Sequence, residues 1–405
     1  MISTSETKTD KKTNSTKKPQ VLGKGSFGCV VNRDYPCSTS DKKTRKIVSK
    51  IQYYKSVSDR ETQLGVKIRA IPNHSNFFAP VLETCMITYA TVEVDGLKEC
   101  GFLDEKHNQF STNKMKYVGK LSIAKYLMLQ YQSKPKQFFR TFFKSYYDIL
   151  DGLIHLNKAT IVHNDLRGDN ILCRDTTGKP IIIDFGQAYD DEMVASKDYK
   201  NVFETYGPDY PPWCMELHII CFIVFKLSNT LEQVTEEIIT QILNEVTSTN
   251  RLFTLYSIEE RDSYISNLKK YLAQFHGKTG IDIITELIKY RNTWDNYAVA
   301  VIYFRIMKDM FLTNYFLTTE FTTLLKSILF AMPNVRMTAE QTKAALLKMT
   351  SSLSKKQTKK EEEQLEKDSP KHIDKIKTQI ATSIFDELKE ETKLLSKKGE
   401  PPKQG

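Results

Sequence analysis

Three short stretches of this chain carry side chains suited to phosphate and cation chemistry. The first is Gly23-Lys24-Gly25-Ser26-Phe27-Gly28-Cys29-Val30. Glycines let a backbone come close to phosphate oxygens and present its N–H groups to them. A dinucleotide-binding loop would need a helix directly after such a motif. Here β-type residues follow, so the motif is expected at a turn between two strands. The second stretch is His163-Asn164-Asp165-Leu166-Arg167-Gly168-Asp169-Asn170, and the third is Asp184-Phe185-Gly186 behind the apolar run Ile181-Ile182-Ile183. Asp and Asn side chains offer oxygen, the ligand a hard cation needs. Each stretch also has a plain structural reading: a glycine turn in a hairpin, a turn cap at Asp165, a strand end at Asp184.

Order and spacing decide between these readings. Ile47-Val48-Ser49-Lys50 follows the glycine loop after a short polar insertion and resembles a V-A-I-K strand. The second stretch resembles H-R-D-L-x-x-x-N, and the third is D-F-G. Over residues about 20–350 the chain resembles eukaryotic-type protein kinases. That resemblance implies an α+β, two-lobed fold with a small β-rich N-lobe and a larger helical C-lobe. It also implies ATP and Mg²⁺ as cofactors and γ-phosphate transfer to protein hydroxyls, with serine and threonine expected. Gly23, Gly25, Ser26, Phe27, Gly28 and Val30 would enclose the nucleotide. Lys50 would contact its α- and β-phosphates, held by Glu61. Asp165 would orient the substrate hydroxyl, Arg167 would neutralise the γ-phosphate as a planar fork, and Asn170 and Asp184 would bind Mg²⁺. His163 is expected to be structural. Glu61 keeps a second reading, as the partner of Ser58 in a capping box.

The chain departs from the family pattern in several places. Asn164 replaces the Arg that commonly pairs with a phosphorylated activation segment, so activity without such phosphorylation is expected. Arg167 stands where serine/threonine kinases carry Lys and some tyrosine kinases carry Arg, so this loop leaves the acceptor open. Gly65 lies where an apolar residue is usual. Pro211-Pro212-Trp213-Cys214-Met215-Glu216-Leu217-His218 looks like a modified A-P-E segment, and Pro333-Asn334-Val335-Arg336-Met337-Thr338 resembles P-x-x-R-x-T. A structural Glu216–Arg336 ion pair is expected. Trp294-Asp295-Asn296-Tyr297 resembles the start of the central lower-lobe helix, where Asp295 would hold the catalytic loop backbone. The stretch between Glu216 and Asp295 is unusually long, which marks residues 217–293 as a helical insertion. The segments Phe77–Val81, Met115–Gly119 and Pro211-Pro212 resemble kinases of nucleocytoplasmic large DNA viruses. That narrower likeness implies a virion or viral-factory setting in host cytoplasm. Two other readings stay open: a pseudokinase or scaffold, and a small-molecule phosphotransferase. The first would lack some of Lys50, Asp165, Asn170 and Asp184. The second fits the glycine loop and the Arg336 element poorly.

Periodicity places the elements that must carry these residues. Gln20–Leu22 and Cys29–Arg33 read as a hairpin, Lys46–Tyr53 as a third strand, and Ala79–Cys85 and Met86–Val94 as two more. Ser58–Ala70 reads as a helix. Phe138, Phe142, Tyr146, Ile149, Leu150, Leu153 and Leu156 recur at helical spacing. Further helices are expected over Leu231–Val246, Ile281–Tyr290, Tyr297–Met310 and Thr322–Ala331. The expected layout is a polar, disordered tail over 1–18, an N-lobe over 19–118, a C-lobe over 119–350, and a charged tail over 351–405. In that last tail Ile373, Ile376, Ile380, Ile384, Leu388 and Leu395 form a sparse stripe. It reads as a docking helix for a partner, a helix packed back on the domain, or a solvated tail.

The chain has 405 residues, 40% of them hydrophobic, and a formal net charge of +10. The charge favours acidic partners, but no basic run lies on a nucleic-acid motif, so lysine-rich tails account for it and nucleic acid is not indicated. Seven cysteines without a C-x-x-C pair suggest free thiols in a reducing, intracellular setting. No apolar run is long enough for a membrane span, so a soluble chain is expected.

Overall fold

The computed structural model describes residues 19–25, 28–35, 47–53, 55–89, 100–101 and 109–375. The expected tail over 1–18, Ser26, Phe27 and the stripe from Ile376 onward lie outside the described residues. The chain divides into two units. The smaller comprises the chain up to Thr62 together with Val81–Tyr117, and the larger comprises Gln63–Pro80 and the chain from Val118.

The smaller unit is built on an antiparallel sheet in the order β1-β2-β3-β5-β4. Its strands are β1 (Val21–Gly25), β2 (Gly28–Val31), β3 (Ile47–Gln52), β4 (Val81–Thr88) and β5 (Gln109–Lys116). β-branched residues dominate β2 and β3, as a pleated, half-buried surface favours. Where two strands were expected, from Ala79–Cys85 and from Met86 on, Val81–Thr88 form the single strand β4, and residues 90–94 lie outside the described residues. Nothing between Cys85 and Met86 turns the chain, and both pair with β5, opposite Thr112 and Ser111. Helix α1 (Lys55–Ala70) starts ahead of Ser58, so Ser58 is not its N-cap. Ser58 is buried and donates to Asn113 Oδ1 at 2.6 Å.

Cysteine chemistry corrects the expectation of free thiols. Cys29 on β2 is disulfide-bonded to Cys100, with Cα atoms 5.9 Å apart. Both pack with Val31, Ile51, Ile87 and Phe110 in one buried cluster. Cys85 is disulfide-bonded as well. Among the described residues Cys173, Cys214 and Cys221 are free and buried. Local spacing gives no sign of a bond that closes 71 residues of chain, and the cysteines no longer argue for a reducing compartment.

The larger unit is mainly helical. Short strands β6 (Leu121–Ser122), β8 (Ile171–Cys173) and β9 (Pro180–Ile182) form one small sheet, and β7 (Ile161–Val162) pairs with β10 (Tyr189–Asp190). The helices are α2 (Ile123–Ser133), α3 (Phe138–Lys158), α4 (Asp191–Ala195), α5 (Tyr199–Phe203), α6 (Met215–Lys226), α7 (Glu236–Thr249), α8 (Ile258–Leu272), α9 (Gly280–Leu287), α10 (Trp294–Asp309), α11 (Phe316–Leu329) and α12 (Ala339–Ser352). A further helix, α13, covers residues 355–375. The apolar face of α3 is buried as its periodicity requires. Helix α10 is buried nearly all round, the mark of a central helix. Between them Tyr146 meets Tyr303 and Phe321 edge-on at 4.7 and 5.0 Å, a favoured aromatic geometry.

Helix α13 packs back on this unit. Leu365 is fully buried in its core. Tyr131 Oη lies 2.8 Å from His372 Nδ1, Tyr315 donates to Asp368 at 3.0 Å, and the Phe316 N–H donates to Glu361 at 2.8 Å. Among the described residues no helix is long and apolar enough to cross a membrane.

Candidate active site

In the smaller unit the β1–β2 hairpin closes where Gly25 faces Gly28. A Cβ on Gly28 would lie 2.1 Å from the Ile51 carbonyl oxygen, so only glycine fits beside β3. Gly23 lies on β1 in open space. Val30 is half-buried and sits opposite Lys50, which in turn faces Asn113 on β5. Lys50 Nζ is 3.3 Å from Glu61 Oε2, with 7% and 2% of the two side chains exposed. Asn113 Nδ2 donates to the same Glu61 oxygen at 2.9 Å. Its own Oδ1 accepts from Ser58 at 2.6 Å and from Thr84 at 2.7 Å. Two donors thus fix Glu61, and buried charges are tolerated only when paired in this way. The capping-box reading of Glu61 fails, because the helix begins before Ser58.

In the larger unit residues 163–170 leave β7 and enter β8. Asp295, at the start of α10, accepts from the backbone N–H of His163 at 2.7 Å and of Asn164 at 3.1 Å. Burial raises the Asp295 carboxyl above its ordinary range, and the His163 and Asn164 N–H donors oppose that shift. His163 is fully buried, packs against Phe185 at 4.9 Å and places Nε2 2.9 Å from the Ile183 carbonyl. These contacts hold the ring inside the fold. Asn170 donates to the Asp165 carbonyl at 2.7 Å and to Asp165 Oδ2 at 3.0 Å. The β8–β9 hairpin pairs Ile171 with Ile182, and the Ile183 N–H donates to the Asn170 carbonyl at 2.9 Å. Asn170 and Asp184 therefore leave the same end of one hairpin. Asn170 Nδ2 is committed to Asp165, so any metal ligation by this side chain would be through Oδ1. With the Asp184 carboxylate this makes an oxygen donor set that fits Mg²⁺ carried on phosphate. Arg167 is exposed and pairs with Asp169 at 2.9 Å.

With the two half-sites described, likeness to known proteins can be read against them. Residues 16–207 match the family model of protein tyrosine and serine/threonine kinases. This stretch is similar to eukaryotic-type protein kinases. No curated protein matches the chain. The match runs from ahead of the glycine loop, past Lys50, Glu61, Asp165, Asn170 and Asp184, and stops short of Tyr210. The small antiparallel unit and the larger helical one give the chain the two-lobed fold class of kinases.

Beyond the matched residues the expected Glu216–Arg336 pair forms. Arg336 Nη1 and Nη2 donate to Glu216 Oε1 and Oε2 at 2.6 and 2.9 Å, with 1% of each side chain exposed. Sequence reasoning missed three residues here. The Tyr210 hydroxyl donates to Asp165 Oδ1. Trp213 Nε1 donates to the Asn164 carbonyl at 2.8 Å. Asn250, between α7 and α8, donates to the Tyr210 carbonyl at 3.3 Å. The signal for the first two was an aromatic on each side of Pro211-Pro212. Asn250 carries no motif at all.

Proposed function

We propose that this chain is a catalytically competent protein kinase that moves the γ-phosphate of ATP to protein hydroxyls, serine and threonine foremost. One observation carries the reading: Asn170 anchors the Asp165 carboxylate while standing beside Asp184 at the end of the β8–β9 hairpin. A kinase loop needs its hydroxyl-orienting acid and its cation ligands held together. When bound, Mg·ATP supplies the phosphoryl group and the cation that neutralises it. The chain's own residues do the rest. Gly23, Gly25 and Gly28, with Ser26, Phe27 and Val30, enclose the nucleotide, and Lys50 held by Glu61 offers a fixed cation to its phosphates. Asp165 orients the acceptor hydroxyl, Arg167 offers a second cation, and Asn170 and Asp184 bind the metal. On this reading residues 19–118 form the N-lobe, 119–350 the C-lobe, and 217–293 a helical insertion.

Asn164 offers no cation for a phosphorylated segment, so the kinase is proposed to be active as synthesised. The test is transfer of radiolabelled phosphate to casein and histone, with phosphoamino-acid analysis and Asp165→Asn as control. Labelled serine or threonine that survives phosphatase pretreatment of the enzyme, and is lost in the control, supports the proposal. Binding of Mg·ATP with no labelling of any protein would identify a scaffold instead.

A further inference from the structure

We propose that Tyr210 is a positioning residue for Asp165, and that the helical insertion holds it in place through Asn250. The inference rests on the kinase reading above and deepens it. Asp165 has both carboxylate oxygens engaged: Oδ2 by Asn170 and Oδ1 by the Tyr210 hydroxyl. Two donors from opposite sides fix the plane of the carboxylate. Each oxygen still keeps a lone pair for an incoming hydroxyl.

A hydroxyl on a catalytic carboxylate could also be a competitor that must leave before substrate binds. The packing argues against that. The Tyr210 N–H donates to the Gly207 carbonyl at 3.2 Å, and the Tyr210 carbonyl accepts from the Trp213 N–H at 3.3 Å. The Trp213 ring stands edge-on to Tyr210 at 5.4 Å, while its Nε1 is tied to the catalytic loop at the Asn164 carbonyl. Pro211 and Pro212 stiffen the chain between them. Moving Tyr210 would break contacts with the very loop it would uncover.

Asn250 completes the support. Its Oδ1 accepts the Leu252 N–H at 2.9 Å and caps the short helix Arg251–Leu255. That fixes its Nδ2 as the donor to the Tyr210 carbonyl and to His218 Nε2, 3.4 Å away. The region between Glu216 and Asp295 therefore reaches back to the reacting carboxylate by one amide and one phenol.

Steady-state kinetics of full-length wild type, Tyr210→Phe and Asn250→Ala test this, with casein as acceptor and melting curves confirming that each variant folds. Tyr210→Phe keeps the ring and loses only the hydroxyl. Its kcat should fall on the order of ten- to a hundredfold, the worth of a hydrogen bond to a charged group. KM for casein should stay within about twofold. Asn250→Ala should shift kcat the same way by less. An unchanged or raised kcat for Tyr210→Phe overturns the proposal, as does an effect confined to KM. If wild type transfers no phosphate, the kinase reading itself fails. If wild type is active and Tyr210→Phe matches it, only the positioning role fails.

Discussion

His218 gives this protein a stability that acid should remove in a defined window. It lies on α6 with 1% of its surface exposed. Its ring stands edge-on to Trp213 at 5.9 Å, and Nε2 accepts from Asn250. Burial pushes its pKa down to about 3 from the ordinary 6.5, although the Trp213 backbone beside it pulls the other way. In the unfolded chain the same imidazole takes a proton near pH 6.5. The stability tied to its neutral form is therefore complete above pH 6.5 and is lost as pH falls toward 3. The loss runs at about 1.4 kcal/mol per pH unit, so moving from pH 7 to pH 5 costs about 2 kcal/mol at this one site. Urea unfolding at the two pH values measures it, with His218→Gln as comparison. The substitution carries its own cost, but that cost does not change with pH. Other groups also titrate: His372, lowered by burial, acts in the same direction, and Asp295, raised by burial, acts in the opposite one. Both remain in the variant and cancel in the difference. Wild type should lose about 2 kcal/mol more than His218→Gln between pH 7 and pH 5. Equal losses would mean that the folded protein protonates His218 normally, and the reasoning from burial would be refuted.

Three further outcomes are expected. Glu216→Gln leaves the Arg336 guanidinium buried without its carboxylate and should cost about 3–5 kcal/mol in denaturant unfolding; Arg336→Lys should not escape the loss, because the planar fork is gone. Gly28→Ala drives a methyl group into the Ile51 carbonyl, and should cost about 1–3 kcal/mol and weaken nucleotide binding measured by calorimetry. Leu365→Ala removes the buried anchor of α13 and should cost about 2–5 kcal/mol locally. Hydrogen exchange should then speed up over residues 355–375 while α3 and α10 stay protected.

The sequence made legible what depends on local spacing. The glycine turn, the Lys50 strand and the Asp165–Asn170 loop are short, because each side chain must be aimed from a few adjacent residues. Asp295 and Arg336 were legible for a related reason: each sits in a short run with its own pattern, and each has one task. What stayed hidden depends on tertiary placement. Ser58 looks like a helix cap in sequence, yet its hydroxyl is wanted by Asn113, and the helix simply starts earlier. Cys29 looks like a small apolar filler because Cys100 lies far along the chain. The tail helix α13 has too few apolar residues for periodicity to choose a partner surface. Leu365, which makes the deepest contact, is not part of the isoleucine stripe.

Residue 164 shows how backbone conformation and side-chain choice fit together in this loop. Asn164 adopts φ 63° and Asp184 φ 61°, both in the left-handed region. Such backbones are costly for most side chains and least so for Asn and Asp. A strained loop persists only where its surroundings over-determine it. Here Asp295 takes the His163 and Asn164 N–H groups, Trp213 takes the Asn164 carbonyl, and Asn170 takes the Asp165 carbonyl. The loop backbone is thus held from α10, from the Pro-Pro segment and from its own far end. An Arg at residue 164 would add a cation for a phosphorylated segment, but it would suit this backbone less well than Asn does. Asn gives up that cation and relaxes the turn. A loop already pinned by Asp295 and Trp213 has little left for an added phosphate to order. The contacts that hold this backbone come from Asp295, Trp213 and Asn170, and none of them needs a charge on the side chain of residue 164.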